Sequence, residues 1–539
     1  MHGRPDRISS AESELRFTGI SASAGYAHGP LFRFEAPSAK YVTSASPAIE
    51  TETLKAAIAK ATERLAELVA SAAGEAADML EFQLAMLADD SLSNPALAAI
   101  EQGAAADEAW SDALANEIAG YEASEDDYFR ARAADLKDIR QQVLDALTSS
   151  DSVSAPPGAI LTGSDIAPTR FLATDWTQGG GIALSAGSSA SHVAMLARSR
   201  GVPMVVGLGP LPDQDGIALL DAEHGTLLLG AAGDSVELFQ SSAEAFIGRR
   251  RKAQDYLRKP AVTASGTPVR VQVNIADPAD VDSIDIATCD GVGLMRTEFL
   301  FGKPGGLPDE DTQYRAYRKV LEWADGKPVT IRTVDAGGDK PVPGFTVDEG
   351  NPFLGLRGIR LSLARPDIFR IQIRALLRAA ARGNLKVMFP MIAVPEEYER
   401  ATALFAEEAR ALTAAGIAHK QPPLGIMVEV PSAAIAPELF AKAAFFSIGS
   451  NDLTQYVMAA ARDNAAVAAL NSVTNPAVLR LIEAVATFGR EHSIPVSLCG
   501  DAGGNPASIP YLLKAGLRDL SVVPAQLALA KAAIAEAEA

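Results

Sequence analysis

The order of hydrophobic and polar residues divides the 539-residue chain into segments of different character. After a polar tail at 1–15, short apolar pieces separated by Gly and Pro occupy 16–50, a pattern typical of strands and turns. Residues 51–147 are rich in Ala, Leu and Glu at helical spacing, and 148–245 return to short apolar strands, turns and one helix. The pattern predicts a small β/α domain, formed by 16–50 and 148–245, that carries an inserted α-helical bundle.

The remaining residues predict a second domain. A polar, basic run from Arg249 to Lys259 precedes Pro260, and we interpret 246–260 as a linker that is helical in part. Residues 261–539 contain eight short apolar segments, most of them followed by a segment of helical character. Eight parallel strands with intervening helices in about 250 residues are typical of a (β/α)8 TIM-like barrel. The segments begin at Val269, Gly291, Val329, Lys386, Gly425, Phe445, Val496 and Leu520.

Polar residues that could take part in catalysis or binding follow several of these segments, where barrel enzymes place their catalytic groups. Neighbouring strands lie ~4.8 Å apart, so Arg296 and Arg332 can converge on one anion, and Glu429 and Asp452 on one cation. Guanidinium pairs suit phosphate or carboxylate, whereas carboxylate pairs with room for water suit Mg²⁺. We therefore predict a site for a small, doubly anionic, metal-bound substrate and disfavour the alternative of surface salt bridges. The residues at the strand ends are Arg296, Arg332, Glu429, Asn451, Asp452 and Cys499.

Two further side chains are candidates for covalent or proton-transfer chemistry. Cys499 lies at a strand end, and a thiol with a pKa near ~8.5 keeps its proton at neutral pH, which suits a proton donor. The alternative is a small hydrophobic side chain, which is how we interpret Cys289. His192 follows a predicted N-cap, Ser191, and opens an apolar helix whose N-terminus disfavours imidazolium and favours an anion. Such a histidine is suited to nucleophilic attack on phosphate; the alternative is a first-turn histidine without a function.

Charge and composition restrict the class of protein. The chain has 48 Lys and Arg against 67 Asp and Glu, a net charge of −19, which argues against a nucleic-acid binder. Residues 51–147 alone hold 20 acidic and 7 basic residues. This pattern indicates either an acidic docking surface or a solvated face that only keeps the protein soluble. Two cysteines cannot form a disulfide framework, and the polar start contains no apolar signal segment, so we expect a cytoplasmic protein. The absence of a long apolar run predicts no membrane insertion.

Several motifs resemble those of one known family. GVGLMRTEFLF (291–301), IRTVDAGGDK (331–340), NPFLGLRGIR (351–360), GIMVEVPSA (425–433) and FFSIGSNDLTQY (445–456) look like the barrel signatures of phosphoenolpyruvate (PEP)-utilising enzymes. SASHVAMLARSRGVPMVVG (189–207) looks like their phosphohistidine motif. The order of these motifs and the helical insertion resemble the enzyme I family of the PEP:sugar phosphotransferase system, the PEP-protein phosphotransferases. The resemblance covers nearly the whole chain.

The resemblance implies a role for each matching residue. His192 would take the phosphoryl group from PEP and pass it to a histidine of an HPr-type carrier docked on 51–147, with release of pyruvate. Cys499 would protonate the enolate carbon, and Glu429 and Asp452 would hold Mg²⁺. The family also implies a swinging phosphohistidine domain and a homodimer formed through the barrel. The substrate-binding residues would be Arg296, Arg332, Lys340, Arg357, Asn451, Asp452 and Arg462.

Two departures from the family pattern lie close to the histidine. The family commonly has Thr where this chain has Ala190, two residues before His192, and again where it has Ala167. Both changes remove a hydroxyl group that could orient the imidazole or its phosphate. We therefore expect the reactivity of His192 to be tuned by other groups, and the neighbouring serines are candidates.

Two other functions fit parts of the pattern. A pyruvate phosphate dikinase or PEP synthase would need an ATP-binding domain, but only 191 residues precede His192 and they contain no Gly-rich nucleotide loop. A regulatory relative that only senses PEP would have no need of both the nucleophile and the acid. The phosphotransferase is therefore the preferred prediction.

Overall fold

The computed structural model forms two compact units, and the boundary along the chain falls between Ile247 and Gly248. The structure does not describe the side chains of residues 71, 75–79, 122, 127–132, 134, 192 and 199. The residues described are 14–34, 41–44, 46–71, 75–122, 127–148, 155–187, 191–212, 216–301, 306–338, 342, 344–347, 349–461, 467 and 470–538.

A mixed sheet organises the first unit. Within the described residues it has eight strands in the order β1-β8-β7-β3-β4-β5-β6-β2, of which β3, β4, β5 and β6 are parallel neighbours. The strands are β1 (Leu15–Thr18), β2 (Ile20–Ser23), β3 (Tyr26–Arg33), β4 (Ile160–Gly163), β5 (Gly181–Leu184), β6 (Met204–Val206), β7 (Ile217–Asp221) and β8 (Thr226–Leu229).

The helices of this unit fall into two groups. The first five follow β3 and precede β4, two strands that pair directly, so the helical stretch is an insertion as the sequence predicts. They pack around their own core, in which Leu54, Trp110 and Leu136 are fully buried. The helices are α1 (Pro47–Ser71), α2 (Glu75–Leu87), α3 (Asp90–Glu101), α4 (Ala106–Glu122), α5 (Asp127–Leu147), α6 (Pro168–Ala173), α7 (His192–Arg200) and α8 (Asp234–Gln254).

A buried polar contact joins the helical insertion to the sheet. Asp138 of α5 accepts a hydrogen bond from the Thr169 hydroxyl of α6, at 2.7 Å to Oδ1, and also accepts one from Gln142. Gln83 of α2 donates to Asp135 at 3.0 Å on the same side. Burial raises the pKa of Asp138 although these donors lower it. The contact therefore stabilises one relative position of α5 and α6.

The second unit is a closed barrel of parallel strands. All eight predicted apolar segments form its strands, and β16 pairs with β9 to complete the circle. This confirms the predicted α/β fold class. The strands are β9 (Arg270–Ile275), β10 (Val292–Met295), β11 (Val329–Arg332), β12 (Leu385–Phe389), β13 (Leu424–Val428), β14 (Phe446–Gly449), β15 (Val496–Cys499) and β16 (Asp519–Val522).

Helices surround the barrel and bury its outer face. Val387 and Phe389 of β12 belong to this outer layer, whereas Met388 between them belongs to a separate cluster. Successive side chains of a strand point to opposite faces, so that cluster, which includes Cys499, fills the barrel interior. The helices are α9 (Glu298–Phe301), α10 (Glu310–Trp323), α11 (Ile359–Ala364), α12 (Pro366–Ala380), α13 (Pro395–Ala414), α14 (Pro431–Ile435), α15 (Ser450–Met458), α16 (Pro476–Glu491), α17 (Ile509–Lys514) and α18 (Leu527–Glu536).

The connection between the units differs from a simple flexible tether. Helix α8 continues without a break past Ile247 and ends at Gln254, so the first half of the predicted linker, 246–260, is helical. Within the described ranges, no helix is both long enough and apolar enough to cross a bilayer.

Replacing Thr169 by Val should destabilise the first unit. The substitution removes the shortest hydrogen bond of the buried Asp138 carboxylate, which keeps its contacts with Gln142 and Gln83, and the loss of one hydrogen bond should lower the free energy of unfolding by about 0.5–1.5 kcal/mol. Chemical denaturation followed by circular dichroism measures the effect. Thr177→Val is the matched control, because Thr177 also bonds to an aspartate but is exposed; equal stabilities of the two variants would contradict the prediction.

Candidate active site

The carboxyl ends of the barrel strands bring most of the predicted residues to one face. Arg332 and Cys499 are the last residues of β11 and β15, and Glu429 directly follows β13. Asp452 lies in the first turn of α15, which begins at the end of β14. The charges of Arg296, Arg332 and Glu429 all influence the Cys499 thiol, so these four groups converge at one place.

A fully buried ion network occupies this mouth. Arg357 donates from Nε and Nη2 to the two oxygens of Asp335, both at 3.0 Å. Its Nη1 and Nη2 donate to the two oxygens of Asp452, both at 3.2 Å, and Nη1 also donates to the Tyr456 hydroxyl at 3.2 Å. Burial lowers and the two aspartates raise the pKa of Arg357, with a net increase. Arg357 therefore links the ends of two distant strands as a permanently charged group.

Arg332 is held in the same network but keeps donors without acceptors. Its side chain is 4% exposed and forms ion pairs with Glu298 and Asp335, each at 3.1 Å. The Glu298 contact lacks hydrogen-bond alignment, and among the described residues neither Nε nor Nη2 has a hydrogen-bond acceptor. Buried guanidinium donors are normally satisfied. Two nitrogen atoms of Arg332, Nε and Nη2, are thus available to an anionic ligand.

Glu429 is a buried carboxylate with a raised pKa. Burial is the main cause of the increase, and the negative charges of Asp452 and Asp335 add to it. Its Oε1 accepts a hydrogen bond from the Met391 backbone N–H at 2.7 Å. A Cβ atom at Gly449 would lie 2.8 Å from Oε2, so only glycine leaves this oxygen unobstructed. A nearby cation would stabilise the ionised form of the Glu429 carboxylate.

The donor set of Glu429 and Asp452 fits Mg²⁺. This ion is usually bound through one or two carboxylates, with water and substrate oxygens completing the shell. Across the residues that the structure describes, no group of three or more His, Cys, Asp or Glu side chains could hold a metal.

Cys499 is a buried thiol rather than a thiolate. Burial raises its pKa to about 11, although the Ser447 hydroxyl, 3.5 Å from Sγ, and the two nearby arginines oppose the increase. The Sγ atom lies 3.6 Å from the Ile448 carbonyl oxygen, to which it donates weakly. The environment keeps the proton on sulfur at neutral pH, as a proton donor requires.

Asn451 is fixed by the loop after β15. Its Nδ2 donates to the Asp501 carboxylate at 3.2 Å, and its Oδ1 accepts from the Asp501 backbone N–H at 3.1 Å. Gly500 allows this approach, because its φ of 114° suits glycine and a Cβ there would lie 2.9 Å from Asn451 Oδ1. The amide therefore has a defined position beside Cys499.

Other predicted residues are only partly described. Lys340 and Arg462 lie outside the described residues, as do Ala190 and the side chain of His192. The backbone of His192 is the first residue of α7, and the Ser191 Oγ accepts a hydrogen bond from Ala194 N–H at 3.2 Å, which confirms the predicted N-cap. Ala167 caps α6 without a side-chain hydrogen bond, consistent with its missing hydroxyl.

Four residues of the mouth were missed by sequence reasoning. Asp335, Glu298, Tyr456 and Asp501 lie within or next to the motifs that drew attention to their neighbours. A carboxylate three residues after the strand-end Arg332, in a segment of small and apolar residues, is a recognisable sign of a buried counter-ion. The Glu298 Oε1 also accepts from the Asp335 backbone N–H at 2.9 Å, a contact that no local pattern indicates.

Alkylation should report the protonation state of Cys499. In a Cys289→Ala variant, the iodoacetamide rate should rise about tenfold per pH unit from 8 to 10, because the thiolate fraction of a group with a pKa near 11 is still growing. Free cysteine, with a pKa near ~8.5, levels off in this range and is the control. A plateau of the protein's rate below pH 9 would contradict the assignment.

Comparison with known proteins agrees with this geometry. Residues 18–132, 155–225 and 250–539 match the N-terminal, mobile and PEP-binding domains of PEP-utilising enzymes. The phosphoenolpyruvate-protein phosphotransferase of Geobacillus stearothermophilus is 36% identical over 98% of this chain and 95% of that protein, and that of Bacillus subtilis is 36% identical over 96% and 95%. A solution structure of an Enzyme I protein covers 43% of this chain and 99% of that chain, with 23% identity and a TM-score of 0.36. The extent of the sequence matches shows that the chain belongs to the phosphoenolpyruvate-protein phosphotransferases of the PEP-utilising enzyme family.

Proposed function

We propose that this protein transfers the phosphoryl group of PEP to His192 and then to a histidine of an HPr-type carrier, the first step of a sugar phosphotransferase system. One observation carries the proposal: Arg332 presents two buried donor nitrogens without acceptors, beside a carboxylate pair suited to a divalent cation. A small, doubly anionic, metal-bound substrate would satisfy both features. The family to which the chain belongs supports PEP as that substrate.

The residues of the mouth divide the chemistry between them. Arg296 and Arg332 would hold the phosphate as the bond between phosphorus and the enol oxygen breaks and a bond to the His192 imidazole forms. The departing oxygen keeps the electron pair, which gives the enolate of pyruvate. The enolate carbon then takes the Sγ proton of Cys499 to become the methyl group, and water reprotonates the thiolate. Charge stabilisation and positioning account for most of such a transfer.

The remaining substrate contacts are proposals from the family match. Asn451, Asp452 and Arg357 would line the site together with Lys340 and Arg462. Glu429 and Asp452 would hold Mg²⁺, which supplies charge neutralisation for the phosphoryl and enolate oxygens. The buried position of both carboxylates, with the raised pKa of Glu429, supports this assignment.

The domain division follows from the same proposal. We assign 16–50 and 148–245 to a phosphohistidine domain, 51–147 to carrier docking, 246–260 to the linker and 261–539 to PEP binding. His192 must meet PEP and later the carrier's histidine, and one fixed geometry cannot satisfy both, so the two compact units should move relative to each other. We further propose a homodimer formed through the barrel and a cytoplasmic location.

Labelled PEP tests the central assignment. With Mg²⁺ and PEP labelled on phosphorus, the wild-type protein should acquire one acid-labile label per chain, and pyruvate should appear in equal amount. His192→Ala should remove more than nine tenths of the label, because the nucleophile is gone. His224→Ala, which alters an exposed histidine bonded to Asp221, should label normally. Undiminished label on His192→Ala would overturn the proposal, and label from ATP would favour a dikinase.

Carrier phosphorylation tests the role of the acidic helices. A Glu63→Lys, Glu67→Lys double variant reverses two exposed charges of α1, and the rate of phosphoryl transfer at low carrier concentration should fall about tenfold if acidic steering operates. The wild-type rate should also fall as salt is added. Glu536→Lys, at an exposed site of α18, is the control. Insensitivity to salt and to charge reversal would leave the acidic surface with a role in solubility only.

A further inference from the structure

Arg357 uses every hydrogen-bond donor that a guanidinium possesses. The five N–H groups are directed to the two oxygens of Asp335, the two oxygens of Asp452 and the Tyr456 hydroxyl. The side chain is 0% exposed. Because all its donors are in use, Arg357 has no free N–H group for an anionic substrate, in contrast to Arg332.

The five bonds are of two kinds. The two to Asp335, at 3.0 Å, join Arg357 to a residue that is itself completely buried and held by its backbone N–H to Glu298. The three to Asp452 and Tyr456 are longer, at 3.2 Å, and reach towards the proposed metal ligand. Arg357 therefore faces a completely buried carboxylate, Asp335, on one side and the proposed metal ligand Asp452 on the other.

We propose that Arg357 is the counter-ion of Asp452 while no divalent cation is bound, and that its donors facing Asp452 and Tyr456 become available to the substrate anion when Asp452 takes the cation. The inference rests on the proposed function. A dication on Asp452 would lie beside the guanidinium, and two positive charges in a buried site repel each other. The contact with Asp335 keeps Arg357 in place during the exchange.

The exchange makes Arg357 a positioning residue that couples metal binding to substrate binding. With the cation absent, Arg357 holds its donors away from the substrate and lowers the affinity for it. With the substrate absent, Arg357 competes with the cation for Asp452. Each ligand therefore removes an obstacle to the other, and linkage requires the two effects on affinity to be equal.

Mn²⁺ titration followed by electron paramagnetic resonance tests this coupling without turnover when every protein compared also carries His192→Ala, which removes the proposed phosphoryl acceptor. Arg357→Met should bind Mn²⁺ alone at least tenfold more tightly than the wild type, because Asp452 loses its competitor. The factor by which PEP raises Mn²⁺ affinity should then fall by a similar amount. Arg370→Met is the matched control, since Arg370 also pairs with two carboxylates, Glu407 and Glu408, and is unrelated to the mouth; it should titrate as the wild type.

Arg357→Lys covers the case in which the methionine variant does not fold. A lysine keeps the buried charge but its single ammonium cannot satisfy both aspartates, so Mn²⁺ affinity should lie between those of the other two proteins. A role confined to folding predicts lower Mn²⁺ affinity in both variants, and a role confined to substrate contact predicts unchanged affinity. Either result overturns the proposal, as does a wild-type Mn²⁺ affinity that PEP does not change.

The failure of this inference can be distinguished from that of the proposed function. The comparison with Mn²⁺ alone contains no PEP and requires no phosphoryl transfer, so it decides the exchange at Asp452 by itself. If the Mn²⁺ comparison gives the expected result but PEP does not label the protein, the proposed phosphotransferase activity is overturned instead.

Discussion

A charge taken out of water must be compensated by a neighbour of opposite sign, and this requirement determines the arrangement of the barrel mouth. Asp335 is completely buried and satisfies part of the hydrogen-bonding need of both Arg332 and Arg357. Arg357 in turn compensates Asp452. Because each charge depends on the others, the ends of β11 and β14 are held in one relative position before any ligand arrives. The site is preorganised at the cost of a buried, closely balanced charge network.

The balance is incomplete, and the incomplete positions are those with a proposed chemical role. Arg332 retains buried donors without acceptors, and Glu429 has a carboxylate whose pKa is raised by burial and by its acidic neighbours. Arg332 can donate hydrogen bonds to further acceptors beside Glu298 and Asp335, and Glu429 would be stabilised by a cation. A substrate that carries both a phosphate and a metal ion corrects the two deficits together, whereas either ligand alone corrects one. Cys499 stays protonated beside them because the same exclusion of water disfavours its thiolate.

The first unit obeys a different constraint. Its five-helix insertion has a core of its own and could turn as a body, but Asp138 and Thr169 connect it to the sheet through a buried hydrogen bond. A carboxylate in such a place tolerates few alternative partners, so the contact specifies one packing of α5 against α6.

Periodicity and the family motifs determined the order of elements: the barrel strand at Val329 begins where the sequence predicts, because a short buried strand requires a continuous apolar run. Strand-end position also predicted that Arg332, Glu429 and Cys499 lie at the barrel mouth. Tertiary structure alone decided how the charges pair, since Arg357 lies 22 residues from Asp335 and 95 from Asp452. No pattern in the local sequence indicates pairs of residues that lie so far apart along the chain. The closure of the barrel decides which hydrogen-bond donors have acceptors and which do not. In this respect Arg357 differs from Arg332.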